Sequence, residues 1–375
     1  MFRAYKFRLE PGVNQARELG IALETHRHLY NACLAERKAA FETEKRSVKY
    51  TEQSAWFTQQ RSSNPWFARL NFSSAQATMR NLDKAFQAFF RRVKAGEKEP
   101  GYPRFKGRDR FDSFTYPSIG DGARVVGNKL RLQHVGLVRI NLHREIEGEI
   151  KTINIKREID KWYVTVACEL PDVPLAASEK PHVGLDVGLE RFITASDAEH
   201  KPPLQPLKAN LKKLRIEQRS LSRKVKGSNC RRKQRRTVAC LHRTVANTRK
   251  DAHHKIAVGL VNRYGGFAVE GLNIQGMVKN HRLARAVSDA GWSQFLTILK
   301  HKAEGAGIQY TEVDARYTSQ TCPACSVVVK KTLSERTHAC ECGYTTHRDH
   351  AAAQVIFARG MLAGTQPERL NVGVG

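Results

Sequence analysis

A short apolar run with one acidic residue inside it, Val183-Gly184-Leu185-Asp186-Val187-Gly188, constrains this chain more than any other stretch. After a short polar turn the chain is apolar again at residues 192–195, and two apolar runs around such a turn predict a β-hairpin. A carboxylate in the middle of a buried strand is unfavourable unless a partner compensates its charge. A metal cation is one such partner, and a turn-capping role for Asp186 is the alternative. Further acidic residues placed to meet Asp186 would favour the metal.

Two more acidic residues could reach Asp186. Glu270 ends a short apolar run, residues 267–270, which is bounded by glycines and predicts a second strand. Asp349 precedes the alanine-rich segment 351–356, which predicts a helix with Asp349 in its first turn, where the helix dipole favours an anion. In two-metal nucleases, hard oxygen ligands hold two Mg²⁺ or Mn²⁺ ions roughly 3.5–4 Å apart. We therefore predict that Asp186, Glu270 and Asp349 form a catalytic two-metal site on a mixed, ribonuclease-H-like α/β sheet.

Four of the eight cysteines lie within twenty-one positions, as the pairs Cys322/Cys325 and Cys340/Cys342. Thiolates at such spacing can surround one tetrahedral Zn²⁺, and four protein ligands leave no position for water. The cluster therefore predicts a structural zinc site rather than a catalytic one. The second pair is Cys-x-Cys where Cys-x2-Cys is commoner, so His338 or His347 is an alternative fourth ligand.

The charge of the chain indicates its partners. It has 64 Lys+Arg against 36 Asp+Glu, a formal net charge of +28, which favours nucleic acid. An anionic membrane surface is the second possibility, but the sequence has no apolar run of 18 residues and no signal segment, so we expect a cytoplasmic, nucleoid-associated prokaryotic protein. Between Asp186 and Glu270 a long basic segment has few acidic residues, which favours phosphate contacts over a solvated surface. The candidate contacts are Arg219, Arg223, Lys224, Arg231, Arg232, Arg235 and Arg236.

The spacing of apolar residues predicts a separate N-terminal domain made of strands and helices. Residues 2–10 alternate as a strand, helical segments run from about Asn14 to residue 94, and a period of two returns from about 95 to 175. We predict a small antiparallel β-barrel into which the helices are inserted. His26, on the apolar face of the first helix, is predicted to be a packed core histidine rather than a ligand.

Several of these motifs, in this order, resemble the TnpB family of transposon-encoded, RNA-guided DNA nucleases related to type V CRISPR effectors. The motifs are Gly184-Leu185-Asp186-Val187-Gly188, Val269-Glu270-Gly271-Leu272-Asn273-Ile274, Ser288-Asp289-Ala290-Gly291-Trp292, the Cys322/Cys325 knuckle and Arg348-Asp349. Gly271 stands where the family commonly has Asp, and Ala351 where it commonly has Asn, but Asp186, Glu270 and Asp349 are all retained.

The resemblance implies a domain plan. Residues 1–10 and 95–175 would form a wedge barrel, 11–94 a helical recognition lobe, 181–317 and 346–357 a RuvC-like nuclease domain, 318–345 an inserted zinc ribbon that binds target nucleic acid, and 358–375 a mobile tail. By positional likeness, residues that line the motif-bearing DNA duplex would be Tyr50, Ser54, Phe72, Ser73, Gln76 and Thr115. Glutamine can pair bidentately with adenine, and an aromatic ring can contact a thymine methyl.

The resemblance also implies an activity and partners. The expected protein is a monomeric RNA-guided endonuclease that cleaves double-stranded DNA beside a short motif, with Mg²⁺ or Mn²⁺, structural Zn²⁺ and a guide RNA transcribed from the transposon end. One alternative is an RNA-guided DNA-binding protein or repressor without cleavage. Another is a transposase that joins DNA strands. The three carboxylates favour the nuclease.

Overall fold

A computed structural model describes residues 1–176, 178–332 and 335–364, apart from the side chain of Ala363. The chain divides into two compact units, Met1–Pro171 and a second unit that begins at Asp172. Within the described residues, no helix has the length and apolar character needed to cross a membrane.

The first unit contains a seven-stranded antiparallel sheet. Its strands are β1 (Phe2–Glu10), β2 (Ser113–Tyr116), β3 (Ala123–Val126), β4 (Lys129–Leu132), β5 (Gly136–Asn141), β6 (Glu149–Glu158) and β7 (Lys161–Glu169). Their spatial order is β2-β6-β7-β1-β5-β4-β3, so the N-terminal strand lies at the centre of the sheet. The alternating residues place one apolar face inward, including Phe7, Val164 and Leu130.

The sheet is curled but open, which corrects the predicted barrel. Its edge strands β2 and β3 share no hydrogen-bond ladder in the part of the chain that the structure describes. Their side chains still join one core that includes Phe114, Tyr116 and Ala123. The short β2 was not predicted, because its four residues alternate too briefly to stand out from the surrounding loop.

Four helices complete the first unit: α1 (Val13–Glu44), α2 (Tyr50–Ser63), α3 (Pro65–Ala68) and α4 (Phe72–Lys94). The first half of α1 packs Leu19 and Leu23 against the sheet, and its second half shares a separate core with α2 and α4. The prediction for His26 is confirmed: the ring is buried, stacks on Phe114 and lies 2.9 Å from the hydroxyl of Thr78.

The second unit contains a mixed five-stranded sheet of order β10-β9-β8-β11-β12. Its strands are β8 (His182–Asp186), β9 (Ile193–Ala195), β10 (His200–Lys201), β11 (Gly266–Glu270) and β12 (Gln309–Val313). The predicted hairpin is confirmed, with Asp186 opposite Thr194. Strand β11 runs parallel to both β8 and β12.

The helices of the second unit are α5 (Pro206–Arg223), α6 (Asn229–Arg263), α7 (Ile274–Met277), α8 (Ala284–Ala290), α9 (Trp292–Gly305) and α10 (Arg348–Gly364). A small hairpin of β13 (Thr337–Ala339) and β14 (Thr345–His347) precedes α10. The predicted tail therefore begins too early, since α10 extends past residue 357 to Gly364, and residues 365–375 lie outside the described chain.

A glycine and a run of alanines let α10 approach the sheet closely. A Cβ placed on Gly184 would lie 2.2 Å from the carbonyl oxygen of Ala353 and 2.5 Å from the backbone nitrogen of Phe357. Only glycine permits that approach. Ala351, Ala352 and Ala353 are buried on the same helix. This contact places Asp349, at the start of α10, beside the end of β8.

Candidate metal centres and nucleic-acid interface

The three predicted carboxylates are brought to one end of the mixed sheet. Asp186 and Glu270 are the last residues of the adjacent parallel strands β8 and β11, and Leu185 pairs in register with Val269. Asp349 is the second residue of α10 and is 6% exposed. Its Oδ2 lies 3.7 Å from the position of a Cβ on Gly188, in the turn after β8. The register of the sheet and the packing of α10 therefore bring the three carboxylates to the same place.

The electrostatics of the site agree with this placement. The pKa of Asp186 is raised well above its ordinary value, first by burial and then by the negative charges of Glu270 and Asp349. The pKa of Glu270 is also raised by burial, and the hydroxyl of Thr318 and the charge of Arg359 partly oppose that shift. Buried carboxylates that repel one another in this way form a site that favours a bound cation.

Basic side chains near Asp349 only partly compensate its charge. The Nε of Arg348 lies 3.7 Å from Oδ1 of Asp349, and Nδ1 of His347 lies 4.0 Å from Oδ2. The backbone N–H of Asp349 also donates to Nδ1 of His347. His347 therefore lies with the carboxylates. Asp314, another acidic residue at this end of the sheet, is exposed and accepts a hydrogen bond from the backbone N–H of Arg316, as an acidic residue in a turn does.

Two groups near Glu270 were not predicted. The buried hydroxyl of Thr318, 3% exposed, donates to Oε1 of Glu270. Arg359 on α10 donates to the carbonyl oxygens of Asp314 and Arg316, 2.8 Å from each, and so holds the loop that carries Thr318. No sequence spacing links a threonine to a glutamate 48 positions away. Only the fold reveals this pair.

The cysteines form the tightest candidate metal site. Among the described residues, Cys322, Cys325, Cys340 and Cys342 are the group whose ligand atoms all lie within 4.8 Å of one another. In the described part of the chain, the oxygens of Asp186, Glu270 and Asp349 do not form a group as close as this one. The Sγ atoms of Cys322 and Cys342 are 3.7 Å apart, and those of Cys325 and Cys340 are 3.5 Å apart. The edge of a tetrahedron with Zn–S bonds of about 2.3 Å is about 3.8 Å, so the four thiols fit zinc.

His338 supports this cluster from outside. Burial alone would raise the pKa of the Cys322 thiol, but the backbone N–H of Cys325 and the side chain of His338 hydrogen-bond to it, and its pKa falls to about 6. A thiol that ionises readily is prepared to bind metal. Because the four cysteines already converge, neither His338 nor His347 is needed as a substitute ligand.

The predicted basic contacts lie on the hairpin formed by α5 and α6. Arg219, Arg223, Arg232, Arg235 and Arg236 are exposed there. Arg231 differs, because its Nη1 donates to the carbonyl oxygens of Leu221, at 2.9 Å, and Lys224, at 2.8 Å. Both Arg231 and Lys224 are half-buried in the turn between the helices. Arg231 therefore caps the C-terminus of α5, and it also contributes positive charge to the hairpin.

Asp289 fixes the other end of this hairpin. Its carboxylate accepts the backbone N–H groups of Leu207, at 2.8 Å, and Lys208, at 2.9 Å, and so caps the start of α5. Arg249 on α6 donates to the same carboxylate and to the carbonyl oxygen of Asp289. Asp289 thus joins α5, α6 and α8.

The predicted motif-reading residues lie in the first unit. Nε2 of Gln76 is 3.5 Å from Oγ of Ser54, and the guanidinium of Arg80 lies 5.3 Å from the ring centre of Tyr50. Thr115 lies on β2, where its hydroxyl accepts a hydrogen bond from Asn154. The ring of Phe72 stacks on Phe57, and Ser73 donates to Asn71, which caps α4. Phe72 and Ser73 therefore have structural contacts of their own.

Three family profiles match separate parts of the chain. A profile described as "Probable transposase" matches residues 165–281, "Cas12f1-like, TNB domain" matches 292–356, and "Helix-turn-helix domain" matches 1–46. Residues 1–46 hold one strand and the single long helix α1 in this structure. The second profile covers both the cysteine cluster and Asp349.

Two relatives align over almost the whole chain. A protein of Streptomyces pristinaespiralis named "Putative RNA-guided DNA endonuclease" is 30% identical, over 100% of this chain and 94% of its own length. "Putative RNA-guided DNA endonuclease InsQ" of Escherichia coli K12 is 29% identical, over 96% of this chain and 92% of its own length. Among solved structures, the Cas12f1–sgRNA–target DNA complex matches with a TM-score of 0.57 at 14% identity, over 91% of this chain and 82% of that one. That last match concerns the fold alone.

Proposed function

Since the chain belongs to the TnpB family, we propose that it is an RNA-guided, divalent-metal-dependent DNA endonuclease of a transposon. It would cleave double-stranded DNA beside a short motif, at a position chosen by a guide RNA transcribed from the transposon end. The observation that carries this proposal is the convergence of Asp186, Glu270 and Asp349 at one end of the mixed sheet.

The topology of the second unit supports a RuvC-like assignment. Three antiparallel strands, β10, β9 and β8, are followed in the sheet by two strands parallel to β8, which are β11 and β12. Acidic residues at the ends of the two central strands then face a helix that carries a third. This arrangement is what a ribonuclease-H-like nuclease requires.

Within that site each residue has a distinct task. Bound divalent ions would activate water and stabilise the leaving oxygen of the phosphodiester. The negative charges of Glu270 and Asp349 both act on Asp186 and raise its pKa. Asp186 would bind metal only in its ionised form. Thr318 orients one oxygen of Glu270 and leaves the other available for an ion. Arg359 and the close packing of α10 hold these groups in place.

The zinc site would position Asp349. Strand β14 (Thr345–His347) runs directly into α10 at Arg348, so the ribbon that contains the cysteines fixes the start of that helix. Zinc bound by Cys322, Cys325, Cys340 and Cys342 would stabilise the ribbon, and the ribbon would lie where target nucleic acid reaches the carboxylates.

Nucleic acid would contact both units. The α5–α6 hairpin would bind phosphates of an RNA–DNA heteroduplex through its exposed arginines. The first unit would serve as wedge and recognition lobe, and Tyr50, Gln76 and Thr115 would read the motif beside the target. We propose that the protein acts as a monomer with its guide RNA.

A reprogramming experiment tests this function. The RNA that co-purifies with the protein is sequenced, its guide segment is rewritten, and a plasmid library carrying the new target beside randomised flanks is incubated with the complex and Mg²⁺. We expect cleavage of plasmids that carry the new target beside one short motif. Binding without cleavage, or cleavage that ignores the guide, would contradict the proposal.

A further inference from the structure

The first unit contains an open cavity of about 720 Å³ that the proposed contacts with the heteroduplex and the motif leave unused. It lies between one face of α1, the short helix α3, and the arginines Arg108 and Arg157. Its volume falls within the range of small-molecule and cofactor pockets, roughly 300–1,000 Å³. We propose that this cavity, which we call the Trp66 cavity, receives an unpaired nucleobase of the guide RNA. The inference rests on the proposed function and adds a site to it.

The floor of the Trp66 cavity is kept empty by a glycine inside a long helix. Gly20 lies in the interior of α1, where glycine is less favourable than alanine by about 1 kcal/mol. A Cβ on Gly20 would meet no atom within 4 Å, and its φ lies outside the left-handed region. Neither packing nor backbone conformation therefore requires glycine at this position. Because Gly20 has no side chain, the floor of the cavity stays open.

One wall of the cavity is an exposed tryptophan in a fixed position. Trp66 is 60% exposed, although large aromatic rings are usually buried. The side chain of Asn64 accepts the backbone N–H groups of Trp66, at 3.0 Å, and Phe67, at 3.4 Å, while Phe67 is buried in the helical core. The ring is therefore held at the surface by its backbone. A fixed, exposed aromatic face is a stacking platform for a base.

Three arginines line the same cavity. The side chain of Arg17 has no hydrogen bond or ion pair within the described chain. The side chain of Arg108 lies 3.7 Å from that of Glu24, and the guanidinium of Arg157 lies 5.8 Å from the Trp162 ring centre. The one acidic lining residue, Glu24, is already paired with Arg27 and Arg108. The remaining positive charge suits the phosphates on either side of an inserted base.

The combination favours RNA over other ligands. Proteins recognise unpaired RNA bases by stacking them on aromatic rings and arginine planes, whereas bases of duplex DNA stay within the helix. A purely apolar ligand would leave the arginines unused.

The test uses the full chain and the RNA recovered from the purified protein, sequenced and transcribed. We expect Trp66→Ala to weaken RNA binding roughly 5- to 150-fold, the contribution of one stacked base. Gly20→Leu should weaken it as well by filling the space, without lowering the melting temperature, since it removes no contact. Phe41→Ala, which removes an exposed ring that lies on α1 outside the cavity, should bind as the unchanged protein does.

Tryptophan emission gives a second measurement. Binding of RNA should quench a component that is present in the unchanged protein and absent from Trp66→Phe. If Gly20→Leu and Trp66→Ala both bind RNA normally, or if single-stranded DNA quenches that component and RNA does not, the inference is wrong while the proposed function stands. If the unchanged protein binds no RNA, the proposed function fails and the inference fails with it.

Discussion

The hydroxyl of Thr318 donates a hydrogen bond to a carboxylate oxygen of Glu270 across 48 positions of sequence. This bond lowers the pKa of Glu270 against the rise caused by burial. A carboxylate held in this way keeps one orientation, which suits the metal-binding role that we propose for Glu270.

Replacing that hydroxyl should weaken the metal site. Thr318→Val keeps the shape of the side chain but removes the donor, and we expect the apparent Mg²⁺ affinity to fall about tenfold or more. The measurement is the cleavage rate as a function of Mg²⁺ concentration. Thr318→Ser, which keeps the hydroxyl, should restore the original dependence. Equal Mg²⁺ dependence for Thr318→Val and the unchanged protein would show that this bond has no role in metal binding.

The cysteine cluster makes a prediction about composition. We expect one zinc per chain, measured by atomic absorption, and its loss in Cys325→Ser, because three thiolates hold zinc less tightly than four. Cys230→Ser, which changes an exposed cysteine at the start of α6, should keep the metal. A protein that holds its zinc without Cys325 must use another ligand, and His338 would be the first to examine.

The α5–α6 hairpin should control the salt dependence of binding. We would measure the affinity of the protein for an RNA–DNA heteroduplex at several salt concentrations. Changing Arg219, Arg223 and Arg232 together to glutamine should reduce the slope of log affinity against log salt concentration by about 2 to 3, close to one per phosphate contact. Arg263→Gln is the matched control, because Arg263 on the same helix is already paired with Asp197 and Glu199. An unchanged slope in the triple variant would mean that these arginines do not contact phosphates.

His26 should make stability depend on pH. Burial lowers its pKa to about 3, whereas in the unfolded chain the pKa is about 6.5. As pH falls, the unfolded state therefore binds a proton on His26 before the folded state does. The contribution of His26 to the free energy of unfolding is complete above about pH 6.5 and is lost as pH falls towards 3. Between pH 7 and pH 5, protonation of this histidine in the unfolded chain should lower the free energy of unfolding by about 2 kcal/mol.

The pH prediction is checked by urea unfolding at both pH values. His26→Gln should be less stable at pH 7 but lose less stability on acidification than the unchanged protein. His28→Gln, on the exposed side of the same helix, should keep the original pH dependence. Parallel behaviour of the His26 and His28 variants would contradict the assignment.

Features with a local sequence signal could be predicted. The Asp186 hairpin, the helix that carries Asp349 and the cysteine quartet each follow from a pattern within a few residues, and the structure has all three elements. Gly184 was visible as a glycine in a strand, but its reason, the approach of α10 to within van der Waals contact, depends on packing across more than 160 positions.

Features set by tertiary contacts could not be predicted. The open edge between β2 and β3 depends on how far the sheet curls, which hydrophobic alternation does not encode. The extension of α10 to Gly364 passes Gly360, whose missing side chain lets the helix lie against Ala268. The roles of Thr318 and Arg231 come from hydrogen bonds to residues that the sequence gives no reason to pair.

Loss of the Asp186 carboxylate is the most direct test of the whole account. Asp186→Ala removes a buried charge that its neighbours repel, so the variant should fold and should bind its RNA and target DNA largely as before. Asp314→Ala, which removes an exposed carboxylate at the same end of the sheet, is the control and should cut normally. The measurement is cleavage of a plasmid bearing the guide-matched target with Mg²⁺. We expect no cutting by Asp186→Ala, whereas cutting at the rate of the unchanged protein would mean that Asp186 is not part of a nuclease site.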